Sequence, residues 1–300
     1  MIIAIMGAGA VGSYFGGLLA KAGLDVTFIA RGAHLKALQE QGLRIKSYKG
    51  DFSLPVKATS NPEEVGKVDL VLFCVKAYHT EEAARLCLPM VGPETVIISL
   101  QNGVDNEEKI AAIVCPEKVM GGVAYVGVRI AEPGFIEHSM AGRIVFGELD
   151  GRVSQRAQEI EGLFQKAGVP AQATTQIREL LWSKLAWNAA FNAISALTRT
   201  TVQEIINNPD LKDISRSVMD EVATVAMAHG IALQEEDLEK GLRLPSHGGD
   251  FKTSMLQDLE AGKTLELEEL NGFVIKKGKE KGISTPYNYT LFALLKGLRS

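Results

Sequence analysis

Ile2-Ile3-Ala4-Ile5-Met6-Gly7-Ala8-Gly9-Ala10-Val11-Gly12 is followed by an apolar, helix-compatible stretch through Ala22, then by Val26-Thr27-Phe28-Ile29-Ala30-Arg31. An apolar run, a Gly-x-Gly-x-x-Gly turn, a helix and a second apolar run make the strand–turn–helix–strand unit that binds dinucleotides. Each glycine has its own physical reason. Gly7 permits the tight turn off the first strand, Gly9 lets the backbone approach a pyrophosphate, and Gly12 lets helix and strand pack closely. The pyrophosphate then sits on the helix N-terminus, where free N–H groups and the helix dipole favour an anion. Gly7, Ala8, Gly9, Ala10, Val11 and Gly12 are therefore the expected contacts to the cofactor's phosphates.

The end of the second strand sets the expected cofactor. Sites for NAD carry an acidic residue there, bonded to the ribose 2′-hydroxyl. Here the strand ends Ile29-Ala30-Arg31-Gly32, with no carboxylate. A guanidinium presents a planar fork of donors suited to a 2′-phosphate. Arg31 thus points to NADP(H); a solvated arginine at a strand end is the alternative.

Composition narrows the classes of function. The 300 residues predict about two domains, and 46% hydrophobic with 23% charged residues suits a globular protein with a sizeable core. A net charge of −4 and a pI near 5.8 leave no electrostatic footprint for nucleic acid or an anionic membrane. No apolar run approaches the length needed to span a bilayer, and the first apolar run is too short for a signal peptide. Cys74, Cys87 and Cys115 are odd in number and unevenly spaced, so they read as reduced thiols of a cytoplasmic protein. The histidines His34, His79, His138, His229 and His247 show no metal-ligand spacing.

Further along, a short helix is expected over 33–41, a hairpin over 43–56 around Lys49-Gly50, and a buried strand over 69–75 followed by Lys76. A helix over 80–90 precedes the next buried strand, 95–100, which is followed by Gln101-Asn102-Gly103. In open α/β sheets ligands bind beyond the carboxyl ends of the strands. Gly9, Arg31, Lys76 and Asn102 all fall at such ends. After a helix over 106–113, segments 121–130, 134–138 and 143–147 are β-rich and read as antiparallel additions to the sheet. A helix over 154–167 ends before Gly168, and the domain boundary falls near 168–175. The expected fold class is α/β, with an N-terminal Rossmann-type dinucleotide-binding domain (1–170) and a C-terminal all-helical domain (171–300). Helices are predicted over 177–207, 211–229, 235–242, 253–260, 268–281 and 289–298.

The first of those helices carries the second site. Over 180–197 it is apolar nearly all round, as a buried helix is. Lys184, Asn188 and Asn192 interrupt it at four-residue spacing, which stacks them on one face. Burying an unpaired ammonium or amide costs several kcal/mol in order of magnitude. The stripe must therefore face a ligand, ordered water or another polar segment. Downstream, Thr253-Ser254-Met255-Leu256-Gln257-Asp258 places hydroxyls at a helix start. Thr264-Leu265-Glu266-Leu267-Glu268-Glu269-Leu270-Asn271-Gly272 offers carboxylates that could pair with Lys184 or meet a substrate hydroxyl. On their own, Ser254 also suits a helix cap and Glu266 a solvated acid.

Taken in order, Gly7-Ala8-Gly9-Ala10-Val11-Gly12, Val75-Lys76, Gln101-Asn102-Gly103, Lys184-x3-Asn188-x3-Asn192, Ser254-Met255-Leu256-Gln257-Asp258, Glu266 and Asn271-Gly272 resemble the ketopantoate reductase (2-dehydropantoate 2-reductase) family over essentially the whole chain. The resemblance implies NADPH-dependent reduction of ketopantoate to pantoate, on the route to pantothenate and coenzyme A. It implies Lys184 as general acid, with Glu266 in the catalytic site. It also implies that Asn102, Asn188, Asn192 and Ser254 lie around substrate and nicotinamide, and that Arg31 and Lys76 occupy cofactor-binding positions. Three acids crowd the run 265–269; counting back from Asn271-Gly272 and forward from Ser254 favours Glu266, with Glu268 as the alternative. The implied partner is the small-molecule substrate 2-dehydropantoate, with no nucleic acid and no membrane; a homodimer is the assembly allowed for. Competing readings are an NADP-dependent reductase of another branched 2-oxo acid, a 3-hydroxy-acid or glycerol-phosphate dehydrogenase, and a non-catalytic NADP(H) sensor. The sensor would need no buried lysine–asparagine stripe.

Overall fold

Continuous apolar runs separated by amphipathic helices wind the first half into a mainly parallel sheet. The computed structural model of the protein describes residues 1–243 and 251–298, so His247 lies outside the described residues. Strand β1 (Ile2–Met6) leads through helix α1 (Ala10–Lys21) to β2 (Asp25–Ile29) and α2 (Gly32–Gln41). The expected hairpin is present as β3 (Leu43–Ser47) and β4 (Phe52–Leu54), antiparallel with Ile45 opposite Phe52. There follow β5 (Lys57–Thr59), β6 (Val68–Phe73), α3 (Thr80–Cys87), β7 (Val91–Ser99), α4 (Asn106–Val114), β8 (Val119–Glu132), β9 (Phe135–Glu148), α5 (Gln155–Lys166) and β10 (Ala171–Ala173).

The sheet order is β4-β3-β9-β8-β7-β6-β1-β2-β5, with β10 beside β9. From β5 to β8 every pairing is parallel. The chain winds outward from β1 in one direction to β2 and in the other to β6, so β1 and β6 meet at the topological switch point. Alternate residues of the buried strands feed two cores. Ile3, Ile5, Leu70, Leu72 and Ile98 pack with Phe15 and Leu19 of α1. Ala4, Met6, Val71 and Phe73 pack with Ala83, Cys87 and Ile110 on the opposite face. Burial on both faces is why these strands read as unbroken apolar runs.

The β-rich stretch differs from expectation. Its three segments form two long strands: β8 extends the parallel sheet alongside β7, and only β9 is antiparallel to β8. The segments expected over 134–138 and 143–147 are two halves of β9, joined across Ala141 and Gly142, whose positive φ values (59° and 101°) mark the interruption. Strand β10 lies in the stretch read as a domain boundary.

The described elements of the second half are all helical: α6 (Ile177–Thr198), α7 (Val202–Asn207), α8 (Pro209–Ala228), α9 (Glu235–Gly241), α10 (Ser254–Glu260), α11 (Asn271–Glu280) and α12 (Pro286–Gly297). The helix expected over 177–207 is broken in two. Arg199 adopts a left-handed conformation (φ 61°), and Thr201 with Glu204 forms a capping box that starts α7 afresh. The helix expected from residue 268 begins only at Asn271, because Leu267–Leu270 is a run of turns. By packing, Met1–Gln101 and Asp105–Ile177 form one unit; Asn102–Val104 and the chain from Arg178 onward form the other. The core of the helical unit joins Leu185, Ala189, Phe191 and Ile194 of α6 to Val218 and Val222 of α8 and Val274 of α11. Among the described residues no helix is long and apolar enough to cross a membrane.

Candidate active site

In the sheet-bearing unit, the glycine turn follows β1 at the switch point. Gly7 has φ 96°, and a Cβ there would press on Val75 Cγ1 (2.7 Å) and the Val75 amide nitrogen (2.8 Å). A Cβ on Gly12 would collide with the Gly7 carbonyl oxygen and lie 2.7 Å from Ile5 Cγ2. Gly9 is different: its φ is −72°, and an added Cβ would meet nothing within 4 Å. Gly9 is the N-cap of α1, with no side-chain capping bond and no acid in the first turn. A helix start with no side-chain cap leaves its first backbone N–H groups to other partners, and the open space beside Gly9 suits an anionic phosphate. Ala8 is buried and its N–H donates to the Ile29 carbonyl (2.8 Å), tying the turn to β2. Ala10 and Val11 form the first turn of α1.

Arg31 follows β2 as the N-cap of α2. Its sequence neighbours carry no carboxylate, but the fold supplies one. Arg31 Nη2 donates to Glu82 Oε1 at 3.2 Å, and Glu82 Oε2 lies 3.4 Å from His79 Nδ1. Arg31 and Glu82 are both exposed, so the pair adds little to stability. Lys76, half-buried, follows β6 and caps the short 3-10 turn Ala77–His79.

Behind the end of β7 lies a buried polar network that sequence reasoning missed. Gln101 Nε2 donates to Thr80 Oγ1 (2.8 Å), and the Thr80 hydroxyl lies 2.9 Å from Asn106 Oδ1. Beside it Glu107 is buried, and neither carboxyl oxygen has a hydrogen-bond partner. Burial pushes its pKa up to about 7; its own backbone N–H and then the Ser99 hydroxyl act in the opposite direction, and burial prevails. The sequence Asn106-Glu107-Glu108 looks like an ordinary polar helix start, which gives no signal of this burial.

In the helical unit, α6 carries the stripe. Asn188 and Asn192 are buried, 4% and 2% exposed, while Lys184 retains some surface. Asn188 Nδ2 lies 3.5 Å from Asn102 Oδ1, at the outer limit of a hydrogen bond, so the residue after Gln101 joins the stripe. Protein packed around the Lys184 ammonium lowers its pKa to about 8, and the Glu266 carboxylate opposes that shift. Burial is the larger effect, and with a pKa of about 8 the ammonium stays mainly protonated at pH 7.

Glu266 and Glu268 separate cleanly. Glu266 is buried at 6% exposure between Leu265 and Leu267, whose side chains enter the core. Glu268 is on the surface, 3.2 Å from Lys296 Nζ. Ser254 is the first residue of α10 and is exposed; the cap is Thr253, whose hydroxyl accepts from the Leu256 N–H (3.3 Å). Among the described residues no hydrogen bond ties Ser254 to the stripe. Asn271 is structural: its Nδ2 donates to the Ala189 carbonyl of α6 (2.9 Å) and to Asn288 Oδ1 (3.0 Å). Asn288 in turn donates to Glu221 Oε2 (2.8 Å), whose carboxylate also accepts the N–H groups of Tyr287 and Asn288 at the start of α12. The α6 backbone beside Asn188 is thus fastened to α8, α11 and α12.

Comparison with known proteins agrees over the full length. Residues 3–151 match the model of the ketopantoate reductase PanE/ApbA family, and residues 176–299 match its C-terminal model. The chain is 40% identical over 299 residues to a 2-dehydropantoate 2-reductase of Archaeoglobus fulgidus, covering 99% of this chain and 98% of that one. It is 33% identical to a protein of the same name from Pyrococcus horikoshii, covering 100% and 98%. A crystal structure of 2-dehydropantoate 2-reductase from Geobacter metallireducens superposes with a TM-score of 0.94 at 36% identity, covering 99% of this chain and all of that one. The chain belongs to the ketopantoate reductase family of oxidoreductases.

Proposed function

We propose that this protein reduces 2-dehydropantoate to pantoate with NADPH, in the cytoplasmic supply of pantothenate and coenzyme A. The observation that carries the reading is the Lys184 ammonium, half sequestered on the asparagine stripe, kept charged beside a buried carboxylate. Full-length relatives named for this reaction support it. In this reading the division of labour follows 1–170 for cofactor and 171–300 for substrate.

The backbone N–H groups of the turn Gly7, Ala8, Gly9, Ala10, Val11 and Gly12 hold the pyrophosphate at the start of α1, and Arg31 and Lys76 meet the 2′-phosphate. NADPH, when bound, supplies the hydride. The chain's own contribution is the proton. As charge develops on the substrate's 2-oxo oxygen, Lys184 Nζ donates to it. Glu266 holds the ammonium charged until that moment. Asn102, Asn188, Asn192 and Ser254 orient the carboxylate and hydroxyl of the substrate. A preorganised amide stripe does this without reorganising during the reaction.

The test is turnover of NADPH, followed by loss of reduced-nicotinamide absorbance, with ketopantoate and a panel of other branched 2-oxo acids. Highest kcat/KM for ketopantoate is expected. Better turnover of another 2-oxo acid, or none of any, overturns the reading.

A further inference from the structure

The Arg31–Glu82 contact bears on cofactor choice. Arg31 is flanked by Ala30, Gly32 and Ala33, so no neighbouring acid modulates it. The carboxylate that does reach it comes from 51 residues downstream, in the first turn of α3. Arg31 Nη2 and Glu82 Oε1 are 3.2 Å apart, and the side chains are 66% and 54% exposed, so a ligand arriving at Arg31 meets Glu82 as well. The second oxygen of Glu82 is 3.4 Å from His79 Nδ1, which keeps the carboxylate on this side of α3.

We propose that Glu82 is a specificity-determining residue: by holding the Arg31 guanidinium it disfavours the cofactor that bears a 2′-phosphate and favours the one that bears a 2′-hydroxyl. The inference rests on the reading that Arg31 meets the 2′-phosphate. A phosphate brought to Arg31 must share the guanidinium with Glu82 and sit beside its negative charge. A 2′-hydroxyl brings no charge and can donate to a carboxylate, as it does to the acidic residue of NAD sites. Glu82 therefore restores, from a separate helix, part of the discrimination that the end of β2 lacks.

The experiment measures Kd for NADPH and for NADH by fluorescence titration of the full chain, for the parent, Glu82→Gln and Arg31→Ala. Glu82→Gln keeps the side chain's size at an exposed position. Charges about 6 Å apart at a wet surface shift an equilibrium a few-fold, so Glu82→Gln should raise the ratio Kd(NADH)/Kd(NADPH) by about threefold to tenfold. The gain should shrink as salt is added. Arg31→Ala should lower the same ratio. If Arg31→Ala lowers the ratio but Glu82→Gln leaves it unchanged or reduces it, the role of Glu82 is overturned while the cofactor reading stands. If Arg31→Ala leaves the ratio unchanged, both fall.

Discussion

The Glu266 carboxylate opposes the loss of charge that burial imposes on the Lys184 ammonium. Burial prevails and pushes the lysine's pKa down to about 8, well below that of an ordinary lysine. In the proposed mechanism the protonated form is the donor, so ketone reduction should hold level below that value and fall as pH rises through it. Alcohol oxidation by the same enzyme needs the neutral amine and should rise over the same range. Glu266→Gln removes the cause that raises the pKa, so the alkaline fall should move to lower pH. Pre-steady-state reduction rates across pH check this; an unmoved break in Glu266→Gln would contradict it.

Gly9 and Gly12 should respond oppositely to the same methyl group. At Gly12 the added carbon meets backbone and the Ile5 side chain, so Gly12→Ala should lower the melting temperature. At Gly9 the backbone is compatible with alanine and nothing lies within 4 Å, so Gly9→Ala should melt at or slightly above the parent. If the pyrophosphate sits there as proposed, it should nevertheless bind the dinucleotide much more weakly, because the methyl group takes up that space. Calorimetry with and without cofactor separates the two effects; retained affinity in Gly9→Ala would argue against the phosphate cradle.

Glu107 should make stability depend on pH in an uncommon direction. The unfolded chain loses this proton near 4.5, the folded chain near 7. Between those values the unfolded state binds fewer protons, so stability falls as pH rises and levels off above about 7. The cost of the folded carboxylate is about 3 kcal/mol. Glu107→Gln should gain most of that at pH 8 and little at pH 4.5, as denaturant titrations at the two pH values would show. Equal effects at both would place the Glu107 ionisation elsewhere.

The substrate's hydroxyl should matter. An amide stripe built to hydrogen-bond a hydroxyl leaves its own groups unpaired when the hydroxyl is missing. 2-Oxoisovalerate, which lacks the hydroxymethyl group of ketopantoate, should show a much lower kcat/KM. Equal efficiency for the two would remove Asn188, Asn192 and Ser254 from hydroxyl recognition.

What can be read from this sequence is what is local. The glycine turn, the unbroken apolar strands and the four-residue spacing of Lys184, Asn188 and Asn192 are short-range periodicities, and they carry the architecture. The Thr201-x-x-Glu204 box is equally local, and the apolar period running through it masks the end of α6. Glu266 and Glu268 look alike in sequence; only the packing of Leu265 and Leu267 into the core decides which acid is buried. Glu82 beside Arg31, and Glu107 buried near Ser99 at the end of β7, arise from chain segments brought together by the sheet. No spacing in the sequence announces them.

The most direct test of the account is Lys184→Ala. The glycine turn and Arg31 are untouched, so the protein should fold and bind NADPH with the parent's affinity. Its kcat for ketopantoate should fall by about 10²–10⁴-fold, the usual contribution of a positioned acid, and the break near pH 8 should vanish from its profile. A folded, NADPH-binding Lys184→Ala protein that turns over ketopantoate at the parent rate would contradict the assignment of Lys184 as the proton donor.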